Sequence, residues 1–127
     1  MKRFSAIVLA TVALAGCSFQ NRYEKEADKV TQAILANDMK PVVGDFDSQA
    51  RVQITRVRVA QLSDELNGEG KFESVKENPA DGPAAPNTHY FDVKFEKDMY
   101  EEKIVTDDDG KIREFRVRRK PAAASAP

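Results

Sequence analysis

The chain has 127 residues, with 20 Lys and Arg against 21 Asp and Glu, a formal net charge of −1. Without a basic excess it lacks the electrostatic footprint of a nucleic-acid-binding protein. A single cysteine and a single histidine provide neither a disulfide framework nor a His/Cys metal cluster.

Lys2 and Arg3 open the chain, and Phe4 to Ala13 follow as an apolar run centred on Ile7, Val8, Leu9 and Val12. This is the order of an export signal. The run is about half of the ~20 residues that a membrane-spanning helix needs. Leu14-Ala15-Gly16-Cys17 then ends it. This stretch resembles the bacterial lipobox. The resemblance implies cleavage between Gly16 and Cys17, a diacylglycerol thioether on Cys17 and an acylated new amino terminus. Two or more acyl chains give stable anchoring, since each buried CH₂ contributes about 0.8 kcal/mol. Residue 18 is Ser rather than Asp, which in a Gram-negative host implies the outer membrane over the inner one, with the domain facing the periplasm. The expected organisation is a signal peptide over 1–16, a lipidated tether over 17–21, one domain over 22–120 and a disordered tail over 121–127. Acylation would consume the only thiol.

Asn21-Arg22-Tyr23-Glu24 has capping-box spacing, with Asn21 as N-cap and Glu24 reaching back. Tyr23, Ala27, Val30 and Ile34 recur at helical spacing, which predicts an amphipathic helix over 22–36. Asn37-Asp38 ends it, and Pro41 prevents its continuation. A short helical turn over 40–46 would carry Val42, Val43 and Phe46 inward. Leu35-Ala36-Asn37-Asp38-Met39, followed by Val42, Val43 and Phe46-Asp47, resembles the opening of a nuclear-transport-factor-two-like domain of the cystatin-like class. The class implies a helix layer on a curved antiparallel sheet, a pocket between them, and dimerisation through the sheet.

Arg51 to Val59 has two readings. Its β-branched residues favour a strand, whereas Thr55 is placed to cap a helix with Val59, Leu62 and Leu66 on one face. We expect an extended segment to Ile54 and a helix over 56–67, ended by Asn67-Gly68. Lys71 to Lys76 reads as a strand. Glu77 to Thr88, with Pro79, Gly82, Pro83 and Pro86, reads as a long irregular connection. His89 to Glu96 alternates as a strand, with His89, Phe91, Val93 and Phe95 on one face. Met99 to Thr106 returns, and Asp109-Gly110 predicts a two-residue type I′ turn. That register sets Ile104 opposite Phe115 and Glu102 opposite Val117 on the inner face. Glu101 opposite Arg118 and Lys103 opposite Arg116 form the outer face, the second pair being like-charged. The expected architecture is one α+β domain, with N-terminal helices packed on a curved antiparallel sheet of about four strands, an arrangement of cystatin-like type.

No motif of enzymatic chemistry emerges. His89 sits in strand phase with Phe91, whereas Tyr90 and Asp92 lie on the opposite face and cannot act with it. Asp107-Asp108-Asp109-Gly110 lacks the alternation and distal Glu of a calcium loop. Neither a nucleophile elbow nor a phosphate-binding glycine loop occurs. No cofactor is expected. Arg113, Arg116, Arg118, Arg119 and Lys120 make the last strand basic. They are either a solvated face answered by Glu101 and Glu102 or a docking surface for an acidic partner or anionic headgroups. The expectation is a lipid-anchored, non-enzymatic envelope domain that binds a partner protein or small ligand, with a homodimer as a further candidate. A second reading is a structural accessory of an outer-membrane assembly complex. The lipobox, the size and the C-terminal hairpin resemble the accessory lipoproteins of the barrel-assembly machine, although the Gly-Met-Thr and Leu-Gly-x-Pro segments of those proteins are absent. A third is a small enzyme of the cystatin-like class.

Overall fold

The computed structural model describes residues 21–82 and 85–121. Three helices, α1 (Arg22–Leu35), α2 (Ser48–Gln53) and α3 (Arg56–Asn67), precede four strands: β1 (Phe72–Glu77), β2 (Thr88–Phe95), β3 (Met99–Thr106) and β4 (Ile112–Arg119). The strands pair antiparallel in the order β1-β2-β3-β4, a meander that the helices cover on one face. This is the α+β arrangement expected from the sequence.

Asn21 caps α1 by accepting from Glu24 N at 2.8 Å. Glu24 does not reach back to complete a capping box. Its Oε1 accepts from Glu77 N at 3.1 Å, while Asn21 Nδ2 donates to Glu77 Oε2 at 2.7 Å. The helix start packs on the end of β1, and the strand's peptide N–H takes the carboxylate. Ala27, Val30 and Ile34 are buried along α1. The helix ends in a Schellman-type motif: Asn37 adopts φ 51, Asn37 N donates to Ile34 O and Asp38 N to Ala33 O, both at 2.9 Å. The chain then turns through Met39 to Val42 into a short 3₁₀ turn, Val43–Asp45. Val42 and Phe46 are fully buried, but Val43 points outward at 40 % exposure, against expectation. A tight turn cannot direct two adjacent side chains into the same core.

The extended segment expected up to Ile54 is instead α2. Asp47 Oδ1 accepts from Ala50 N at 2.9 Å, and Arg51 Nε donates to Phe46 O at 3.1 Å. A cap and one buried alanine outweigh the β-propensity of Val52 and Ile54. Thr55 then caps α3, accepting from Arg58 N at 3.2 Å.

The β3–β4 register is the expected one from Glu101–Arg118 to Ile104–Phe115. The turn is not type I′. Asp107 N donates to Lys111 O, Gly110 N donates to Asp107 O, and of the tip residues only Gly110 has positive φ, at 81°. Thr106 pairs with Ile112, so a bulge at Arg113 restores the register that a two-residue turn would have set. Lys103 opposes Arg116 but pairs diagonally with Glu114 at 3.2 Å. Phe46 bridges Ile112 in parallel, with Asp47 N donating to Ile112 O at 2.8 Å, so the α1–α2 connection is laced to the edge of β4. Among its described residues the connection between β1 and β2 forms a 3₁₀ turn, Pro79–Asp81. It closes on the outer face of the sheet at Tyr90, which is buried.

Candidate functional site

The loop after α1 and the α2–α3 junction leave a groove between them. The Schellman turn at Asn37 sends Met39 inward, and Ile54 closes the far side where α2 stops and α3 begins. The cavity measures about 650 Å³ and is lined by Met39, Val43, Ile54, Val59 and Ala60, with Asn37, Asp38, Lys40 and Arg56 at its border. A smaller cavity of about 150 Å³ shares Met39, Ile54 and Val59 and reaches Leu62, Phe115 and Val117, with Arg58 and Arg116 beside it. The floor is apolar because helix and sheet cores meet there.

The charges around it are unbalanced. Lys40, Arg56 and Arg58 have no carboxylate partner among the described residues, and Asp38 is the one acid in the lining. The large exposed hydrophobic residues lie in the same stretch of chain, with Val43 in the lining itself. Among the described residues they are Val43, Val52 and Val57, at 40 %, 76 % and 68 % exposure. Val57 stands one turn before Ala60 on the face of α3 that borders the groove.

The basic strand singled out from the sequence divides between two faces. On the outer face, Arg118 and Arg116 approach Glu101 Oε1 at 3.0 and 3.6 Å, and Lys120 bridges Asp81 at 2.9 Å and Asp92 at 2.7 Å. Arg119 turns to the helix side, where it pairs with Glu69 and with Asp98 at 3.2 Å. Arg113 stands exposed at the bulge without an ion-pair partner among the described residues. Glu102, expected to answer this strand, does not. It faces the core with 1 % exposure. Gly16 and Cys17 lie outside the described residues.

His89 is half-buried between helix and sheet. Its Nδ1 lies 2.8 Å from Glu77 Oε1, and its ring stacks on Tyr23 with centroids 3.8 Å apart. Tyr90 and Asp92 are on the other face, as expected, Asp92 being held by Lys120 and by Asn78 Nδ2 at 3.0 Å. At the acidic hairpin tip, Asp107 Oδ1 accepts from Asp109 N and Lys111 N at 2.9 Å. No group of three or more metal-ligating side chains occurs among the described residues, and no described helix is long and apolar enough to cross a membrane.

Two acids have strongly raised pKa values: Glu102, which the sequence register set on the inner face and which is fully buried, and Glu26, which is partly buried and which the sequence reading missed. Burial pushes Glu102 up to about 8, with nearby Asp28 adding to the rise. Burial and a hydrogen bond with Asp45 push Glu26 up to about 7. Burial alone would raise Asp45, but its hydrogen bonds with Lys29 and Glu26 outweigh that and hold it below the ordinary value. Glu26 and Asp45 border a cleft of about 210 Å³ with Arg22, Tyr23, Gly44 and Lys111. For Glu102 the parity shared with Ile104 was the available signal. For Glu26 and Asp45, nineteen residues apart with a turn between, no sequence-local signal exists.

The fold and groove define an α+β domain with three helices on a four-stranded antiparallel meander. No protein-family model, curated protein or solved structure matches the chain.

Proposed function

We propose that this chain is a lipid-anchored lipoprotein of the bacterial cell envelope whose α+β domain is a non-enzymatic binding module for a partner protein or small ligand. The observation that carries the binding role is the groove, where an apolar floor meets three cations without a carboxylate partner among the described residues. Leu14-Ala15-Gly16-Cys17 supports the anchor. The layout of helices before an antiparallel sheet accords with the cystatin-like resemblance. A lipid on Cys17 would attach close to the start of α1. At 1.5 Å per residue the 14-residue helix is about 20 Å long. The groove lies at its far end, beside Asn37 and Met39, so a lipid anchor preceding Asn21 would enter α1 at the end away from the binding surface.

Two measurements in the native host test this. Palmitate-analogue labelling should mark the wild-type protein and not Cys17→Ser. A photo-crosslinking residue in place of Val57 should give a discrete adduct that the same residue in place of Lys76, on the edge strand, does not. Absence of lipid label would overturn the anchor, and equal crosslinking at the two positions would overturn the groove.

A further inference from the structure

We propose that the groove receives an acidic segment of a partner protein, studded with apolar side chains, whose carboxylates meet Lys40, Arg56 and Arg58. This rests on reading the domain as a binding module and names the chemistry of what it binds.

The charge distribution supports it. Several other cations are answered internally: Lys29 by Asp45 at 2.8 Å, Lys103 by Glu114 at 3.2 Å, Arg118 by Glu101 at 3.0 Å and Lys120 by two aspartates. Arg22, Arg51, Arg113 and five lysines, Lys25, Lys71, Lys76, Lys97 and Lys111, also lack a carboxylate ion pair among the described residues, but none borders the groove. Among the described residues, the groove sets three unanswered cations beside an apolar floor, whereas Arg22 and Lys111 border the smaller cleft that holds the acids Glu26 and Asp45. Of the exposed valines, Val43 lines the groove and Val57 follows the lining residue Arg56 on α3, while Val52 lies outside the lining. An apolar centre with charges at its rim is the composition of a recognition surface, in which the rim charges set partner choice.

Other occupants fit less well. A second copy docking by a two-fold axis would bring the same arginines face to face. The tail from Pro121 to Pro127 contains no acid. An anionic bilayer would suit the chemistry, but the expected anchor enters at the other end of α1. An isolated fatty acid needs a pocket that encloses most of its surface, whereas Val43 and Val57 stand open to solvent beside this groove.

The test uses the full-length acylated protein in neutral phosphatidylcholine nanodiscs, with methyl-detected NMR on Met39, Ile54 and Val59. The probe is a 12-residue peptide of Glu, Leu and Asn. It should shift these methyls, and raised salt should weaken it. Arg56→Gln/Arg58→Gln should lower its affinity roughly tenfold, the scale of one charge-assisted contact. Arg56→Glu/Arg58→Glu should transfer preference to the Lys-containing counterpart. Both positions are exposed, so folding is retained. Absence of shifts, equal binding of a Gln-containing peptide, concentration-dependent dimerisation through the same methyls, or shifts with phosphatidylglycerol vesicles but not the peptide would each overturn the proposal. If the Val57 crosslink persists while the acidic peptide fails, the binding module stands and the acidic partner falls.

Discussion

Thr31 Oγ1 lies 2.8 Å from Glu102 Oε2 and also 2.8 Å from Ala27 O. A hydroxyl carries one hydrogen, so it cannot donate to both. The arrangement closes if Glu102 is protonated: its O–H donates to Thr31 Oγ1, and Thr31 donates back to the Ala27 carbonyl. Burial, which pushes Glu102 up to about 8, favours the same state. Glu102 Oε1 has no partner, which costs less on a neutral carboxyl than on an anion.

The folded state therefore holds a proton that the unfolded chain releases near the ordinary carboxyl value. The stability this group contributes is present below about 4.5 and is lost as pH rises toward about 8. Glu102→Gln should remove that slope. Its gain over wild type should grow by about 1.4 kcal/mol per pH unit across that window. Urea midpoints at pH 5, 7 and 9 measure it, and parallel curves for the two proteins would mean that Glu102 is ionised in the fold.

Gly82 packs on the Tyr90 ring: an added Cβ would stand 2.2 Å from Tyr90 Cζ. At Gly44 an added Cβ meets nothing within 4 Å. Gly82→Ala should therefore push the β1–β2 connection off the sheet and cost roughly 1–3 kcal/mol, while Gly44→Ala should be neutral or stabilising by about 0.5 kcal/mol. Limited proteolysis between residues 78 and 87, with thermal melts, separates them. Equal resistance of the two variants would show that the loop is not held at Tyr90.

The proline-rich connection shows how much of the fold local sequence carried. Its irregularity followed from Pro79, Pro83 and Pro86, but its attachment depends on Tyr90 and Lys120, distant in sequence. The β3–β4 register was legible from the alternation of Ile104, Glu102, Phe115 and Val117. The turn was not, because a bulge at Arg113 offsets a longer tip and leaves the pairing unchanged. α2 was missed because Val52 and Ile54 favour strand, whereas Asp47 and Ala50 decide by cap and burial. Of the groove, only Thr55 and the α3 stripe were visible. Its other wall depends on where Met39 lands after the Asn37 turn, and its charge on which arginines find no acid in three dimensions.

Glu26 on α1 faces Asp45 of the 3₁₀ turn, and burial together with Asp45 raises Glu26, while Lys29 Nζ lies 2.8 Å from Asp45 Oδ2. The folded value of Glu26 is raised, so its stabilising contribution is present below about 4.5 and is lost as pH rises through about 7. Above that, two carboxylates confront one another. Amide exchange at Asp45 and Phe46, corrected for its intrinsic pH dependence, should quicken between pH 6 and 8 in wild type. Glu26→Gln keeps a donor to Asp45 at every pH and should flatten that change. An unchanged profile in the variant would place the titration elsewhere.

Arg119 tests whether the basic strand serves the fold as well as the surface. It pairs with Glu69, whose side chain is 11 % exposed, and donates to Tyr100 Oη at 3.2 Å. Tyr100 Oη also lies within hydrogen-bonding distance of Glu65 and Glu69, and burial pushes it up to about 12. Arg119→Gln would leave Glu65 and Glu69 close to a buried tyrosine without the cation. Arg113, at the bulge, has no such carboxylates. The first substitution should lower the urea midpoint and the second should not, although each removes one positive charge from β4. If both leave the midpoint unchanged, Arg119 is dispensable to the fold and free for a partner. A drop confined to Arg119→Gln would assign that residue to the junction of α3 with the sheet and exclude it from any docking surface.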